Sequence, residues 1–228
     1  MREGQAMTES TISATEWLRT HDHVPYNDAL DMMERRIAAI RTGEQPEAVW
    51  LLEHPPLFTA GTSAQDSDLF NPRNLPTYRA GRGGQWTYHG PGQMIAYVML
   101  DLSRPHGAVP PRDLRAFVHA LESWLIAILA RFDVRGERRE GRVGVWVVDA
   151  NGRESKIAAL GVRITRWISW HGVALNVAPA LEDYDGIVPC GIREYGVTSL
   201  AQLGRTVSMD DVSRAMRDCW TPIFGPSA

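Results

Sequence analysis

The sequence predicts an α+β fold in which helices pack on a sheet that is mixed or mostly antiparallel. Helical and strand-like patterns come in separate blocks along the 228 residues, which argues against a doubly wound parallel sheet. Neighbouring strand patterns are joined by short turns, and ANGR at 150–153 is a strong hairpin signal. A chain of this length forms a single domain with a sizeable core. We expect a disordered extension at 1–10 and the domain at 11–228.

In the first half of the chain, one helix precedes three strand patterns. Apolar residues at three-to-four spacing predict a helix from Tyr26 to Arg41, with Gly43 as its stop. EAVWLLEH at 47–54 predicts a strand that ends at two prolines. The stretch from 57 to 84 is rich in Gly, Pro, Asn and Asp and predicts mostly loop. The next strands are expected in QWTYHG, 85–90, and MIAYVMLDL, 94–102.

The second half begins with the longest predicted helix, from Arg112 to Phe132, whose apolar residues share one face. Three strand patterns follow at 144–150, 156–165 and 168–177. An amphipathic pattern from Ser208 to Phe224 predicts a closing helix.

Composition argues against several classes of protein. A formal charge of −3 and a pI near 6.2 give no general affinity for nucleic acid. The sequence lacks a signal-peptide pattern and an apolar stretch of membrane-spanning length, so we expect a cytoplasmic protein with no membrane contact. Two cysteines do not form a disulfide framework. His21 and His23 have no further ligand at a metal-site spacing, and no metal is expected.

Lys156 is the only lysine in the chain, and every other one of the 24 Lys and Arg residues is an arginine. Two interpretations are open. A compositional preference for arginine leaves one lysine by accident, or the chemistry needs an amine that can lose its proton, which a guanidinium does not do.

Cys190 lies between Pro189 and Gly191, in a turn-like sequence that would present its thiol to a ligand. A thiol is nucleophilic as its thiolate, and a nearby ammonium such as that of Lys156 would stabilise this form. Cysteine is more often a small core residue, and we expect that role for Cys219, which lies in a helical pattern.

The stretch GRGGQWTYHGPGQ, 81–93, is longer than an ordinary turn and has a more distinctive sequence. Trp86 stands where a dinucleotide fingerprint requires its third glycine, and the glycines do not lead to a lysine as in a phosphate loop. The stretch offers backbone N–H groups, Tyr88 and His89 around a cavity. His89, and His171 further along, are either structural histidines or acid–base groups, and the structural role is the more common one.

Several segments together resemble the lipoyl(octanoyl) transferases, which use octanoyl-carrier protein in lipoate synthesis. The matching segments are RGGQWTYHGPGQ, KIAALGVRI, HGVALN and IVPCGI, followed by GVTSL, in the family's order and spacing. EHPPLFTAG upstream also fits, so the resemblance covers about Val49 to Leu203. It implies a fold shared with biotin and lipoate ligases and one octanoyltransferase catalytic domain.

The resemblance also implies a mechanism and partners. Cys190 would be the acyl-thioester nucleophile, and Lys156 would lower the pKa of its thiol. The donor would be octanoyl-acyl carrier protein, which carries the acyl group on its phosphopantetheine arm, and no cofactor would be bound. The acceptors would be lipoyl domains of 2-oxoacid dehydrogenase complexes and the glycine cleavage H protein. The segments expected to surround the acyl chain contain Arg82, Gly83, Gly84, Gln85, Trp86, Thr87, Tyr88, His89, Ala159, Leu160, Gly161, Gly172, Val173 and Ala174.

Some details concern the shape of the acyl site. Trp86, Tyr184 and Val173 differ from the residues common in the family, which affects the shape of the pocket and not the reaction. Backbone N–H groups of Leu160, Gly161 or Cys190 are candidates for holding the oxyanion. Two arginine-rich stretches, 131–142 and 153–166, would steer an acidic carrier. An apolar tunnel is expected from Trp86, Leu160, Val162, Val173 and Leu175.

Three alternatives remain open at this stage. An ATP-dependent lipoate or biotin protein ligase would share the fold, but adenylate chemistry needs no thiol nucleophile. A cysteine hydrolase would use Cys190 with His89 or His171 as its base. A non-catalytic module would bind the acyl carrier without cleaving its thioester.

Overall fold

The main sheet is formed by eight strands, and a smaller sheet of three lies beside it. The computed structural model describes residues 15–188 and 195–226, and these counts refer to those ranges. The first half contains β1 (Glu16–His23), α1 (Tyr26–Thr42), β2 (Ala48–Glu53), β3 (Leu57–Ala60), β4 (Thr77–Arg79), β5 (Trp86–His89) and β6 (Gln93–Met99). The second half contains α2 (Leu114–Ala130), β7 (Glu137–Arg139), β8 (Arg142–Val148), β9 (Glu154–Thr165), β10 (Ile168–Asn176), β11 (Gly196–Val197), α3 (Met209–Asp218) and α4 (Thr221–Phe224).

The strand order confirms the predicted mixed, mostly antiparallel sheet. The large sheet runs β1-β2-β6-β10-β9-β8-β7, with β11 also paired to β9. Only the β1–β2 and β9–β11 pairs in this sheet are parallel. The small sheet runs β4-β3-β5. β9 and β10 are therefore central strands, and both carry segments expected to form the site.

Helices cover both faces of the large sheet. On one face α2 packs together with α3 and α4 over the main core. The stripe of α2 that faces this core includes Phe117, Leu121 and Trp124, which are fully buried, as its helical spacing predicts. On the other face α1 buries Ala29 and Met33 against β2, β6 and β10. The two layers hold the central strands rigidly from both sides.

The ends of the helices have local causes. α1 stops at Gly43, which adopts a left-handed conformation and donates its N–H to Ile40. α2 starts after Asp113, whose carboxylate accepts the N–H of Ala116 at 2.9 Å. α3 starts with a capping box formed by Ser208 and Asp211.

Several sequence predictions need correction. β1 and β7 had no predicted counterpart, and β3 and β4 lie in the stretch 57–84, where mostly loop was expected. β3 is too short to show a period, yet all four of its residues are buried. The predicted closing helix is two helices, because the chain turns at Cys219 and Trp220 before α4 begins at Thr221, with Pro222 in its first turn. The expected extension at 1–10 lies outside the described residues. Among the described helices, none is long and apolar enough to cross a membrane.

Candidate active site

A cavity of about 290 Å³ lies over β5, β9 and β10. Lys156 forms part of its wall together with the expected acyl-binding segments, so these distant parts of the sequence meet in one place. Further lining residues that were not predicted include Tyr26, Tyr97 and Trp146. The predicted residues that line it are Arg82, Gly84, Gln85, Trp86, Thr87, His89, Ala159, Leu160, Gly161, Gly172, Val173 and Ala174.

A few predicted residues do not line this cavity. Gly83 instead donates its N–H to the carbonyl of Val162 at 3.0 Å. The ring of Tyr88 packs against Phe58 and Tyr184. Of the five tunnel candidates, Trp86, Leu160 and Val173 line the cavity, whereas Val162 and Leu175 lie in the main core beneath the sheet. The tunnel prediction is therefore wrong for these two residues, because the side chains at these alternating positions of β9 and β10 are turned towards the main core.

An irregularity in β9 explains how Lys156 reaches the cavity. Lys156 pairs with Trp146 but Ala158 pairs with Val145, so two steps along β9 match one step along β8. Such a bulge reverses the side-chain alternation on the strand that carries the extra residue. Lys156 thereby lines the same cavity as Ala159 and Gly161, although regular alternation would place it on the opposite face from both.

The ammonium group of Lys156 is held at the cavity wall. The residue is only 7% exposed. Its Nζ donates a hydrogen bond to the carbonyl of Val143 at 2.8 Å and lies 4.8 Å from the centre of the Trp146 ring. The backbone on either side of Lys156 is fixed as well, because β11 pairs Val197 with it and Thr198 donates to its carbonyl. A charged amine is therefore kept in a defined position in a partly apolar site.

The position of Val143 depends on a buried glutamate. Glu122 of α2 is 5% exposed and accepts the N–H of Gly144 at 3.0 Å, while Arg138 neutralises it from 3.2 Å. Gly144 has a φ of +127°. A β-carbon there would lie 2.9 Å from Cε of Lys156 and 2.8 Å from the carbonyl oxygen of Ala158. Glycine at 144 therefore makes the space that the lysine side chain occupies.

Arg82 stabilises, through hydrogen bonds, the loop beside the cavity in which it lies. Its guanidinium donates to the carbonyl and hydroxyl of Thr59 at 2.9 and 2.8 Å and to the carbonyl of Gly83 at 2.9 Å. The side chain passes directly over Gly161, where a β-carbon would lie 2.6 Å from Cδ of the arginine. The glycine at 161 thus allows a buried arginine to cross β9.

The structure gives His89 a structural role. Its Nδ1 lies 2.7 Å from Oε1 of Gln93, and its Nε2 lies 3.2 Å from the hydroxyl of Thr59. Since an amide oxygen only accepts, Nδ1 carries the proton and Nε2 accepts from Thr59. Burial, and then the neighbouring His54, hold the pKa of His89 well below its usual value. Both nitrogens are occupied, so His89 is a poor candidate for an acid or base.

His54 and His171 are neutral for the same physical reason. Burial lowers the pKa of His54 to about 4, even though its Nδ1 is 2.6 Å from the carbonyl of Val24. Burial, and then the charge of Arg82, lower the pKa of His171 to about 3. His171 lines the cavity with a φ of +60°, and within the described ranges its buried Nε2 has no hydrogen-bond partner. An imidazole with such a low pKa is a weak base at neutral pH.

Cys190, the predicted nucleophile, lies outside the described residues. The chain approaches and leaves that stretch through residues that pack together, because Ile187 and Val197 belong to the apolar cluster that contains Trp86. The second cysteine, Cys219, is half-buried against the main core, and burial raises the pKa of its thiol. Within the described ranges, no three His, Cys, Asp or Glu side chains are grouped as metal ligands.

Two of the three departures from the family pattern affect the cavity directly. Trp86 and Val173 line it, and the indole N–H of Trp86 is fixed by the carbonyl of Gln65 at 2.8 Å. The third, Tyr184, packs behind the lining, where its hydroxyl donates to Asn176 at 3.0 Å. The substitutions at 86 and 173 therefore alter the shape of the pocket wall.

Comparison with known proteins gives a consistent result. Residues 25–221 match the family described as Lipoyl protein ligase A/B catalytic domain. The chain is 66% identical over 226 residues to an octanoyltransferase of Gluconacetobacter diazotrophicus, which covers 99% of this chain and 96% of the relative. It is 60% identical over 215 residues to an octanoyltransferase of Acidiphilium cryptum, with 94% of each chain covered.

A solved structure shows a similar fold at low sequence identity. It is described as a bi-partite lipoate protein ligase and its E2 lipoyl domain from Thermoplasma acidophilum. The TM-score is 0.67 at 14% identity, with 92% of this chain and 83% of the other covered. This likeness concerns the fold alone, and it confirms the ligase-like architecture expected from the sequence.

The buried histidines predict a pH-dependent stability. Below pH 6.5 the unfolded chain takes up protons that the folded chain excludes from His54 and His171, so the free energy of unfolding falls as the pH drops towards about 4. Each histidine contributes a slope of up to about 1.4 kcal/mol per pH unit. His171→Asn should reduce the pH dependence of the free energy of unfolding, measured by urea unfolding at several pH values, by the equivalent of about one proton. Asparagine is suitable because it tolerates the positive φ at this position. His119→Asn on the exposed surface is the control, and an unchanged slope in His171→Asn would contradict this explanation.

The crowding at Gly144 predicts that Gly144→Ala displaces the lysine. Because the chain has one lysine, its ammonium gives a single resonance in nitrogen-15 spectra, and hydrogen bonding to Val143 should protect it from solvent exchange. We expect Gly144→Ala to lose this protected signal while the protein remains folded by circular dichroism. Val143→Ala is the matched control, since it keeps the accepting carbonyl. Equal protection in Gly144→Ala would show that the space at 144 does not control the lysine.

Proposed function

The chain belongs to the octanoyltransferases of the lipoyl protein ligase A/B catalytic domain family, and on this basis we propose that it transfers octanoyl from octanoyl-acyl carrier protein to a lysine of lipoyl domains through a thioester on Cys190. The enzyme is thus an acyltransferase of lipoate biosynthesis. The observation that supports the mechanism is the buried ammonium of Lys156 in the wall of the cavity. An amine held there can exchange a proton with a reacting group, which an arginine would not do.

The cavity suits an apolar acyl chain. Leu160, Val173 and Ala174 provide aliphatic surface, and Trp86 adds an aromatic wall. Each methylene removed from water contributes about 0.8 kcal/mol, so an eight-carbon chain is anchored without a charged contact. The carboxyl end of the chain would then lie towards Lys156.

In the first half-reaction, the thiolate of Cys190 attacks the carbonyl carbon of the octanoyl thioester. The new C–S bond replaces the bond to the phosphopantetheine sulfur, so one thioester is exchanged for another and little driving force is needed. The departing sulfur takes a proton from Lys156 and leaves as the thiol. The main contribution of the enzyme to this step is positioning and charge stabilisation.

In the second half-reaction, the amine of the acceptor lysine attacks the octanoyl–Cys190 thioester. An ordinary lysine has a pKa near 10.4 and is mostly protonated, so a base must remove a proton. The acceptor ammonium first loses one proton to solvent, and the neutral amine left on Lys156 by the first step accepts the second proton, which the attacking nitrogen loses as the amide forms. An amide forms, the thiolate of Cys190 is released, and the initial protonation of Lys156 is restored.

Leu160 is the better of the described candidates for an oxyanion donor. The carbonyl of Val162 accepts the N–H of Gly83, so the backbone polar groups of Val162 point away from β10. In an antiparallel ladder the backbone N–H and C=O groups of alternate residues point the same way. The backbone groups of Leu160 therefore also point away from β10. Gly161 points towards Gly172 on β10, which makes its N–H less accessible. These relationships support Leu160 over Gly161.

The alternative functions fit these observations less well. The 66% identical relative is an octanoyltransferase, whereas the ligase structure has 14% identity. A cysteine hydrolase would need a histidine base, but both nitrogens of His89 are occupied and the pKa of His171 is about 3. A module that only binds a carrier would not need a proton-exchanging amine in the cavity.

The acyl-enzyme is the direct test of this proposal. Incubation with octanoyl-acyl carrier protein in the absence of ATP should add one octanoyl group to the intact protein, and hydroxylamine should remove it. Cys190→Ser should abolish the addition. Cys219→Ser is the matched control, because it removes the other cysteine of the chain and should leave the addition intact. An unmodified enzyme beside an intact carrier thioester would contradict the proposed mechanism.

A further inference from the structure

A second pocket lies beside the outer end of the cavity, and it is more polar than the first. We call it the arginine pocket; it is lined by Arg142, Gly152, Arg153, Glu154, Tyr195 and Gly196. Arg142 also lines the acyl cavity, so the two spaces share a wall. The pocket therefore lies next to the site without being part of the acyl-binding surface.

Arg142 is fixed in place but retains an unused donor. Its guanidinium lies 4.0 Å from the ring centre of Tyr195 and 4.7 Å from that of Trp146. Its Nη2 lies 2.6 Å from a carboxylate oxygen of Glu154. Its Nη1 is buried and has no hydrogen-bond partner among the described residues. A buried donor without a partner is unfavourable, and a small shift of the guanidinium towards an anionic oxygen in the pocket would satisfy it.

Arg153 differs from the other arginines nearby. It is exposed, and among the described residues no acidic side chain forms an ion pair with it. The adjacent Glu154 pairs with Arg139 and Arg142, and Asp149 accepts the backbone N–H groups of Asn151 and Arg153 in the hairpin turn. The predicted arginine-rich stretch 131–142 is paired instead, through Arg131–Asp218, Arg135–Glu137, Arg138–Glu122, Arg139–Glu137, Arg139–Glu154 and Arg142–Glu154.

We propose that the arginine pocket binds the phosphodiester of the phosphopantetheine arm of the donor. This inference rests on the proposed function, because it assumes a carrier-bound substrate. Arg153 supplies a charge that no acidic side chain of the described residues neutralises, and Arg142 supplies a positioned guanidinium. Glu154 does not repel the phosphate strongly, because Arg139 and Arg142 both pair with it.

The dimensions of the arm fit this arrangement. Arg153 and Lys156 are three residues apart, so their backbones are separated by about 10 Å along an extended strand. From sulfur to phosphorus the arm is about as long as four amino-acid residues, which is about 14 Å when extended. With the phosphate at Arg153, the sulfur can therefore reach Lys156 while the acyl chain enters the cavity.

The phosphate itself is the variable in the test. We would compare octanoyl-pantetheine with octanoyl-4′-phosphopantetheine, which differ only in the phosphate, as donors for acylation of Cys190. The wild type should prefer the phosphorylated thioester by about tenfold in kcat/KM, a typical effect of a charge-assisted contact. Arg153→Gln should reduce this ratio towards one. Arg135→Gln, which removes a paired arginine outside the pocket, should keep it.

A binding measurement separates the phosphate site from the chemistry. Calorimetric titration with 4′-phosphopantetheine and with pantetheine should show the same preference in the wild type and its loss in Arg153→Gln. Equal affinity for the two compounds, or a preference that survives Arg153→Gln, would overturn the phosphate site. If the preference is found but neither thioester acylates Cys190, the phosphate site stands and the proposed transfer mechanism is wrong.

Discussion

The hydrogen bond between Lys156 and the carbonyl of Val143 is the interaction on which the site depends. The bulge in β9 directs the lysine into the cavity, the glycine at 144 leaves room for it, and Glu122 holds the backbone that carries the accepting carbonyl. Each of these features would be unfavourable alone, since a bulge disrupts pairing and a buried carboxylate must be neutralised. Together they fix the amine of Lys156 at 2.8 Å from a carbonyl.

His89 and His171 on the cavity wall, and His54 beside His89, are kept uncharged. Burial lowers the pKa of each of these three imidazoles, and Arg82 contributes to the effect at His89 and His171 because a second positive charge nearby is unfavourable. The guanidinium is itself occupied by backbone and hydroxyl acceptors. This part of the cavity wall therefore carries neutral imidazoles beside a guanidinium whose donors are already occupied.

The sequence predicted the parts of this structure that have a long period or a distinctive motif. The helix α1, the central strands and the segments that line the cavity follow from hydrophobic spacing and from the family resemblance. Short elements such as β3 and β7 have no detectable period, and they form because neighbouring strands provide partners. The bulge at Lys156 depends on pairing with β8, so alternation along the sequence does not show which face of β9 Lys156 occupies. Arg142 and Arg153 were recognised as charges, but only the fold shows which arginines are paired.

The most direct test of the central claim is to follow the two half-reactions separately in Lys156→Arg. Rapid-quench mass spectrometry would measure octanoyl-enzyme formation from the carrier and then its transfer to a lipoyl domain. Arginine retains the positive charge but neither gives a proton to the departing sulfur nor acts as the base, so the octanoyl thioester should form on Cys190 more slowly, with the donor sulfur leaving as a thiolate, and should then persist. Transfer from that thioester at the wild-type rate would show that Lys156 is not the proton acceptor.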